Sequence, residues 1–311
     1  MRSASLWLAA GLGAWMAAGC AVQQWMCQGG APRRVDGLVE PMASTPATGY
    51  ASEAERLGLI QKAAAHRIEL LGKFPPPVAL CRRIPDGAIR VDGELSPGEW
   101  DRAMVVSGFR LTRELTPCRQ ETLGMMLWDS RYLYLAFDCE DADLTATITE
   151  HDGELWREDD VEVFIDADAD EMSYLEFELS PRGIFYDATV ADYRPEIDWP
   201  ADLSHLDIDR GIKIYTTLDT QAKARIADTL NEPDDVDQGW TCELAVSWKD
   251  IGRGTNVRRL PPRDGDVWLI GLFRVNVNVK ADQKLTEYSG WNPTTSWFHV
   301  PWLFGRVVFV E

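Results

Sequence analysis

The sequence predicts an all-β protein: an antiparallel β-sandwich preceded by a signal peptide, a tether and one helix. Three observations predict it. From about residue 78 onward, short runs rich in β-branched and aromatic residues follow one another, among them RYLYLAFD, DVEVFID, SYLEFEL, GWTCELAV and DVWLIGLFRVNVNV. Turn signals such as DGELSPGEW, SPRG and RDGD separate these runs, and many short strands at this spacing, with almost no helical period, is the sandwich pattern. Several runs also alternate, as strands with one core face do. Val161, Val163 and Ile165 alternate with Glu162, Phe164 and Asp166; Leu175, Phe177 and Leu179 with Tyr174, Glu176 and Glu178; Phe273, Val275 and Val277 with Arg274, Asn276 and Asn278.

Taken from the N-terminus, residues 1–19 read as a signal peptide. Arg2 is a short positive start, LWLAAGLGAWMAA is the apolar stretch, and Ala17-Ala18-Gly19-Cys20 closes it. The apolar run is short for a membrane span. Its small-residue ending resembles a bacterial lipobox, which implies cleavage before Cys20 and a lipid on its thiol. Ala21 in place of Asp, by resemblance to Gram-negative lipoproteins, implies the outer membrane. The expected contact with membrane is through this anchor only.

Residues 20–50, with GGAPRR and PMASTPATGY, read as a flexible tether. The segment 51–77 reads as a helix over 51–72 stopped by KFPPP. Ser52 with Glu55 forms a capping-box pattern, and Leu57, Ile60, Ala64, Ile68 and Leu71 make an apolar stripe at helical spacing. The remainder, 78–311, is the sandwich, with SWKDIG as a single helical turn.

The chain carries 31 Lys+Arg against 50 Asp+Glu, a net charge of −19. It has no basic stripe to displace counterions, so no nucleic acid is expected as partner. Export would place Cys27, Cys81, Cys118, Cys139 and Cys242 in an oxidising compartment. The runs 121–128 and 131–138, joined at Asp129-Ser130, read as a hairpin whose register sets Cys118 nearly opposite Cys139, a candidate disulfide. Cys242 reads as a buried small hydrophobe, and no Cys or His spacing matches zinc.

The tryptophans single out a site. The chain has 13, and Trp291, Trp297 and Trp302 fall within twelve residues of the polar stretch SGWNPTTSWFHVPWLFG. Large flat rings in a polar setting suit either a platform for a flat ligand or a lid over the sandwich end; for Trp302, which leads into the last strand, the lid is the simpler reading. If the alternating strands share one sheet, Glu162, Glu176, Glu178, Arg274 and Asn276 line one hydrogen-bonding surface.

Five stretches, IRVDGELSPGEWDRA (89–103), LWREDDVEVFIDAD (155–168), YLEFELSPRGIFYD (174–187), GWTCELAVSWKDIG (239–252) and WFHVPWLFGRVVF (297–309), resemble in order and spacing the family 9 carbohydrate-binding modules, above all the family 9-like proteins of exported bacterial lipoproteins. The resemblance implies a β-sandwich that binds carbohydrate without catalysis, in support of polysaccharide capture or catabolism, with a polysaccharide-degrading enzyme as partner. It implies two aromatic rings clamping a pyranose, with carboxylates, amides and an arginine on its hydroxyls, and structural calcium. On this chain Trp156 matches the first ring and Glu162 the carboxylate. The second ring falls on Phe298 or Trp297, with Trp291 and Trp302 as further candidates. Arg274 matches the arginine in GLFRVN, and Asn276 follows on its strand. Glu178 is a departure, standing where sugar-binding members carry an arginine.

Other chemistries remain open at this level. Asp166, Asp168 and Asp170 have the D-x-D-x-D opening of a calcium loop, but Glu171 and Phe177 stand where an EF-hand needs Gly and Glu, so the choice lies between a solvated acidic turn and a structural calcium. Glycoside hydrolysis needs two carboxyls roughly 5–10 Å apart, which Glu162, Glu176 and Glu178 could supply. Related sandwich domains hold haem, for which His151, His299, Met125, Met126 or Met172 could be axial ligands. A lipid-anchored scaffold that meets another protein through its acidic face is the third alternative.

Overall fold

The structure, a computed structural model, describes residues 53–190, 212–214, 217–227, 229–232, 234–280, 283–292, 294 and 298–311. The segments expected to be leader and tether, with Cys20 and Cys27, and Trp297 lie outside the described residues.

Helix α1 spans Glu53–Lys73, close to the expected 51–72. Its contacts differ from the expected stripe. Ala64 and Ile68 are exposed, Ile68 at 72%. The helix is instead held at its C-terminal end. Leu71 and Phe74 pack on Val300, Trp302 and Leu303, and Arg67 lies 5.2 Å above the Trp302 ring and pairs with Glu171 at 2.8 Å. Trp302 is thus a buried docking point for the helix, in keeping with the lid reading. Among the described residues no helix is long and apolar enough to cross a membrane.

The strands are β1 (Val78–Arg83), β2 (Met104–Val106), β3 (Arg110–Leu111), β4 (Thr122–Trp128), β5 (Tyr132–Glu140), β6 (Asp160–Asp166), β7 (Tyr174–Leu179), β8 (Phe185–Val190), β9 (Ile212–Ile214), β10 (Gln221–Ile226), β11 (Gly239–Ser247), β12 (Val267–Lys280), β13 (Gln283–Gly290) and β14 (Gly305–Val310). They form one hydrogen-bonded sheet in the order β10-β11-β5-β4-β1-β14-β12-β6-β7-β8-β9. β13 takes over the edge of β12 where β14 leaves it. The all-β class is as expected, but the ladders are not all antiparallel: β1 runs parallel to both β14 and β4. It is the seam between two halves that share one core. Leu135, Phe137, Cys139 and Cys242 enter that core from one half, and Val163, Ile165, Phe177 and Leu272 from the other.

Local chemistry fixes this frame. The DGELSPGEW turn is clamped to β11 by buried Glu243, which accepts hydrogen bonds from the backbone N–H of Asp92 and Gly93 and from Trp100 Nε1, each at 2.9 Å. Gly93 has φ +86°, and a Cβ there would stand 2.8 Å from the Ala224 carbonyl carbon, so both the conformation and the close approach require glycine. The expected helical turn is α2 (Trp248–Gly254), capped by Ser247, whose hydroxyl accepts from Asp250 N.

The β4–β5 hairpin turns on Ser130-Arg131, one residue later than expected, because the Asp129 carboxylate accepts from Arg131 N and Tyr132 N and closes the turn itself. In that register Cys139 faces Thr122, and Cys118 lies beyond the strand end with its thiol donating to Phe109 O. The expected Cys118–Cys139 disulfide is not formed: both are free thiols, as are Cys81 and Cys242. Cys242 is fully buried, as the alternation predicts.

Candidate carbohydrate-binding face

The strands β12, β6, β7 and β8 are neighbours, and their registers decide which side chains meet. Glu162 lies across from Glu178, and Glu178 from Tyr186. On the other side Glu162 is paired with Phe273 and Asp160 with Val275. Val161, Val163 and Ile165 fill the shared core, so the alternate residues Asp160, Glu162, Glu176, Glu178 and Tyr186 stand on the outer face. That face is not open to water: every residue of β6 and β7 is buried.

The outer face has two halves of different chemistry. One is apolar: Phe164, Tyr174, Phe273, Val275, Phe298 and Phe304 form a second cluster. The other is acidic. Among the described residues no lysine or arginine pairs with Asp160, Glu162, Glu176 or Glu178. Both oxygens of Asp160, Glu176 Oε2 and Glu178 Oε2 have no hydrogen-bond partner. Asp160, Glu162 and Glu178 each bring an oxygen within 4.8 Å of the others. Burial pushes all four carboxyls above the ordinary carboxylate range, Glu176 to about 8; repulsion from neighbouring carboxylates adds to it at Glu162, Glu176 and Glu178, whereas at Asp160 the Val275 N–H, the Glu178 carboxyl and the Arg274 charge oppose it. His299 stands where the halves meet. Its Nδ1 is 2.8 Å from the Tyr174 hydroxyl and its Nε2 is 3.6 Å from Glu176 Oε1. Burial lowers its pKa to about 3, so the ring is neutral.

Trp156 sits on a short 3-10 turn, Leu155–Arg157, at the acidic edge. Leu155 anchors the turn by packing on Tyr186 and Ala188. Trp156 itself is 38% exposed and meets Tyr186 edge-on, ring centres 5.8 Å apart. Burial raises the Tyr186 pKa, and the nearby charges of Glu176, Glu178 and Glu162 add to it. Trp156 is therefore one ring away from the carboxylates.

Not every expected site residue joins this face. Arg274 and Asn276 point the other way. Arg274 is in register with Val161, a core residue, because it is Phe273 that stands beside Glu162. Its guanidinium crosses between the halves to Thr122 Oγ1 (3.0 Å), Glu121 O (3.3 Å), Glu140 O (2.7 Å) and Asp141 Oδ2 (2.9 Å). Asn276 bonds Gln120 and accepts from Asn278. The expectation of one surface carrying Glu162, Glu178, Arg274 and Asn276 is thus corrected: the carboxylates and the two β12 residues occupy opposite faces.

Trp291 belongs to the main core, and a Cβ on Gly305 would lie 2.2 Å from its ring. Phe298 borders the apolar half with one ring face already covered, stacked on Phe273 at 4.4 Å and 15°. Trp297, the other choice for the second ring, lies outside the described residues.

Asp166, Asp168 and Asp170 bring oxygens within 4.8 Å of one another. Asp166 accepts from Asp170 N and Glu171 N, and Asp170 from Met172 N and Ser173 N. Burial pushes Asp166 up to about 7. The oxygen-only donor set fits the chemistry of calcium. Of the residues named for haem, Met125 and Met126 are buried, Met172 is exposed, and His151 pairs with Asp152.

Sequence reasoning missed Asp160 and Tyr186. Asp160 was readable, two residues before Glu162 on a strand of period 2. Tyr186 needed the β7–β8 register.

Residues 91–311 match the family model described as carbohydrate family 9 binding domain-like. The chain belongs to this family. No curated relative matches it. Among solved structures, a "putative carbohydrate-binding protein" of Bacteroides uniformis ATCC 8492 is similar at TM-score 0.57 and 15% identity, over 75% of this chain and 99% of that one. A family 9 carbohydrate-binding module of Caldicellulosiruptor kristjanssonii, in complex with cellotriose, matches at TM-score 0.48 and 13% identity over 75% of this chain and 94% of that one. As a family 9-like domain, the chain carries its acidic face within the matched segment, on WREDDVEVF and YLEFEL.

Proposed function

We propose that this family 9-like domain binds carbohydrate without catalysis. One observation carries the reading: an exposed tryptophan packs on Tyr186, across the ladder from buried carboxylates among which oxygens of Asp160, Glu176 and Glu178 lack hydrogen-bond partners. A pyranose has C–H faces that pack on a ring and hydroxyls that donate to such oxygens. Trp156 supplies the ring, and Glu162 and Glu178 with Asp160 and Glu176 supply acceptors. An unpaired buried polar atom costs about 1–3 kcal/mol, so ligand hydroxyls that satisfy these oxygens bind with matching selectivity.

Around that core, the reading takes in export to the outer membrane on a lipid at Cys20, capture of polysaccharide near the cell surface for an enzyme that degrades it, and a structural calcium in the Asp166–Asp168–Asp170 loop. The sequence ending Ala18-Gly19-Cys20 supports the anchor, and Cys20→Ala is expected to move the chain from the membrane to the soluble fraction; membrane retention refutes it. The ligand is found on a glycan array and measured by calorimetry. Trp156→Ala then weakens binding tenfold or more, about 1.4 kcal/mol, with an unchanged melting midpoint. Equal affinity in the variant removes Trp156 from the site.

A further inference from the structure

The side of β8 turned away from the carbohydrate face carries a charge that nothing balances. Asp187 follows Tyr186 on this strand and so points the other way; it lies across the ladder from the core residue Phe177. Its side chain is completely buried. Oδ2 accepts from Thr217 N at 2.9 Å, but Oδ1 has no hydrogen-bond partner. Among the described residues no lysine or arginine pairs with it. Burial pushes the carboxyl up to about 6, so at neutral pH it is mostly ionised, and a buried carboxylate oxygen without a partner is strongly unfavourable.

The orphan oxygen faces an imidazole. His151 Nε2 stands 3.6 Å from Asp187 Oδ1, and His151 Nδ1 stands 3.0 Å from Asp152 Oδ2. Contacts on β8 hold the two loop residues there. Asp152 N donates to Phe185 O at 3.2 Å, Asp187 N donates to Asp152 Oδ1 at 3.4 Å, and the His151 ring meets Phe185 edge-on with centres 6.0 Å apart. A neutral imidazole has one N–H to offer two carboxylates. The Asp152 contact is within hydrogen-bond reach and takes it, which leaves a lone pair facing the Asp187 oxygen. At 3.6 Å that gap is too long for a hydrogen bond. It is close to the ~3.3 Å between two donors on a tetrahedral ion whose bonds are about 2.0–2.1 Å long.

The donor set selects the ion. One atom from each of His151, Asp152 and Asp187 lies within 4.8 Å of the other two. Calcium takes oxygen donors; an imidazole among carboxylates suits a first-row transition metal. The His151 side chain is 58% exposed, so an ion has a way in and a position open to water. We propose that His151, Asp152 and Asp187 bind a divalent transition-metal ion of zinc type beside β8. The site shares no residue with the carbohydrate face or with the Asp166–Asp168–Asp170 loop, and it stands without either. Bound there, the ion ties the loop that leads into the Trp156 turn to the strand that carries Tyr186.

The test titrates zinc chloride by calorimetry into the full, tag-free chain stripped with chelator. A site is expected that weakens at least tenfold in both His151→Ala and Asp187→Asn, persists in Asp168→Asn and Glu162→Gln, and stays occupied in excess calcium. Circular dichroism checks that each variant is folded. Cobalt(II), a probe for the same donors, needs no variant: its visible absorption on binding the wild type is displaced by zinc and not by calcium. No zinc binding, undiminished affinity in either His151→Ala or Asp187→Asn, or displacement by calcium each overturns the proposal. An imidazolium held between the two aspartates with no metal gives the first of these results.

Discussion

Replacing Arg274 by methionine separates its two possible roles. As a ligand-binding residue, its loss would weaken sugar affinity and leave the fold alone. The structure assigns it to the fold. The side chain is 1% exposed and bonds four acceptors on the opposite half of the sheet: Thr122 Oγ1, Glu121 O, Glu140 O and Asp141 Oδ2. Methionine fills much of the volume but leaves a buried Asp141 charge and two carbonyls without that donor. Breaking a buried ion pair by removing one partner costs about 3–5 kcal/mol. For a domain of this size each kcal/mol moves the melting midpoint by about 2–4 °C, so the shift is on the order of 6–20 °C.

The assay is thermal and urea unfolding of wild type and variant, followed by sugar titration at a temperature where both are folded. Arg274→Lys recovers little, because one ammonium cannot span a fork of four acceptors. Arg274→Met with Asp141→Leu recovers most of the loss, since the double change removes the stranded charge. A variant less than about 1 kcal/mol destabilised but tenfold weaker for sugar would refute the reasoning and return Arg274 to the ligand.

Two further outcomes test the frame. Buried Asp250 accepts from Leu218 N, Asp219 N, Thr220 N, Thr220 Oγ1 and Ser247 Oγ at 2.9–3.0 Å; burial alone would raise its pKa, but these bonds outweigh it and hold the group below the ordinary range. A carboxylate depressed in the folded state stabilises above its unfolded pKa and loses that contribution as pH falls through the folded value. The gap between wild type and Asp250→Asn, about 1–3 kcal/mol at neutral pH, therefore narrows below about pH 4; a gap constant to pH 2 contradicts this. Glu243→Gln and Trp100→Phe each remove part of one clamp, so each costs about 1–2 kcal/mol and the double variant costs less than their sum; full additivity in urea unfolding shows that the two do not share it.

Much of this arrangement was legible. The helix, the strand runs and the alternation that sets Glu162 and Glu178 each on the polar side of its strand follow from periods that any neighbour would respect; that the two share one face needed the β6–β7 pairing. The face of β12 did not follow. Phe273, Val275 and Val277 alternate with Arg274, Asn276 and Asn278, which shows that the strand has two faces but not which one meets the core. The usual inference puts the apolar set inside. Here the inside is polar at that level, because the ends of β4 and β5 present Glu121 O and Glu140 O, and the outside is apolar, because Phe298 and Phe304 cover it. Only the partners across the ladder settle it. Trp291 misled for a similar reason: a polar sequence neighbourhood says nothing of Gly305, whose missing side chain makes room for the indole.

The acidic half of the outer face has no rationale in stability. Its neighbours on the same strands, Phe164 and Tyr174, show that the position favours close-packed rings, and ring stacking with burial would stabilise where partnerless carboxylates cost. A structure that breaks its own packing rule at adjacent positions does so where it meets something else. The break is local. It begins at Asp160, ends at Tyr186, and is bordered by an exposed ring, Trp156. Substituting Glu178 by leucine should accordingly stabilise the free domain while abolishing ligand binding, an opposition of signs that a purely structural role for Glu178 would not produce.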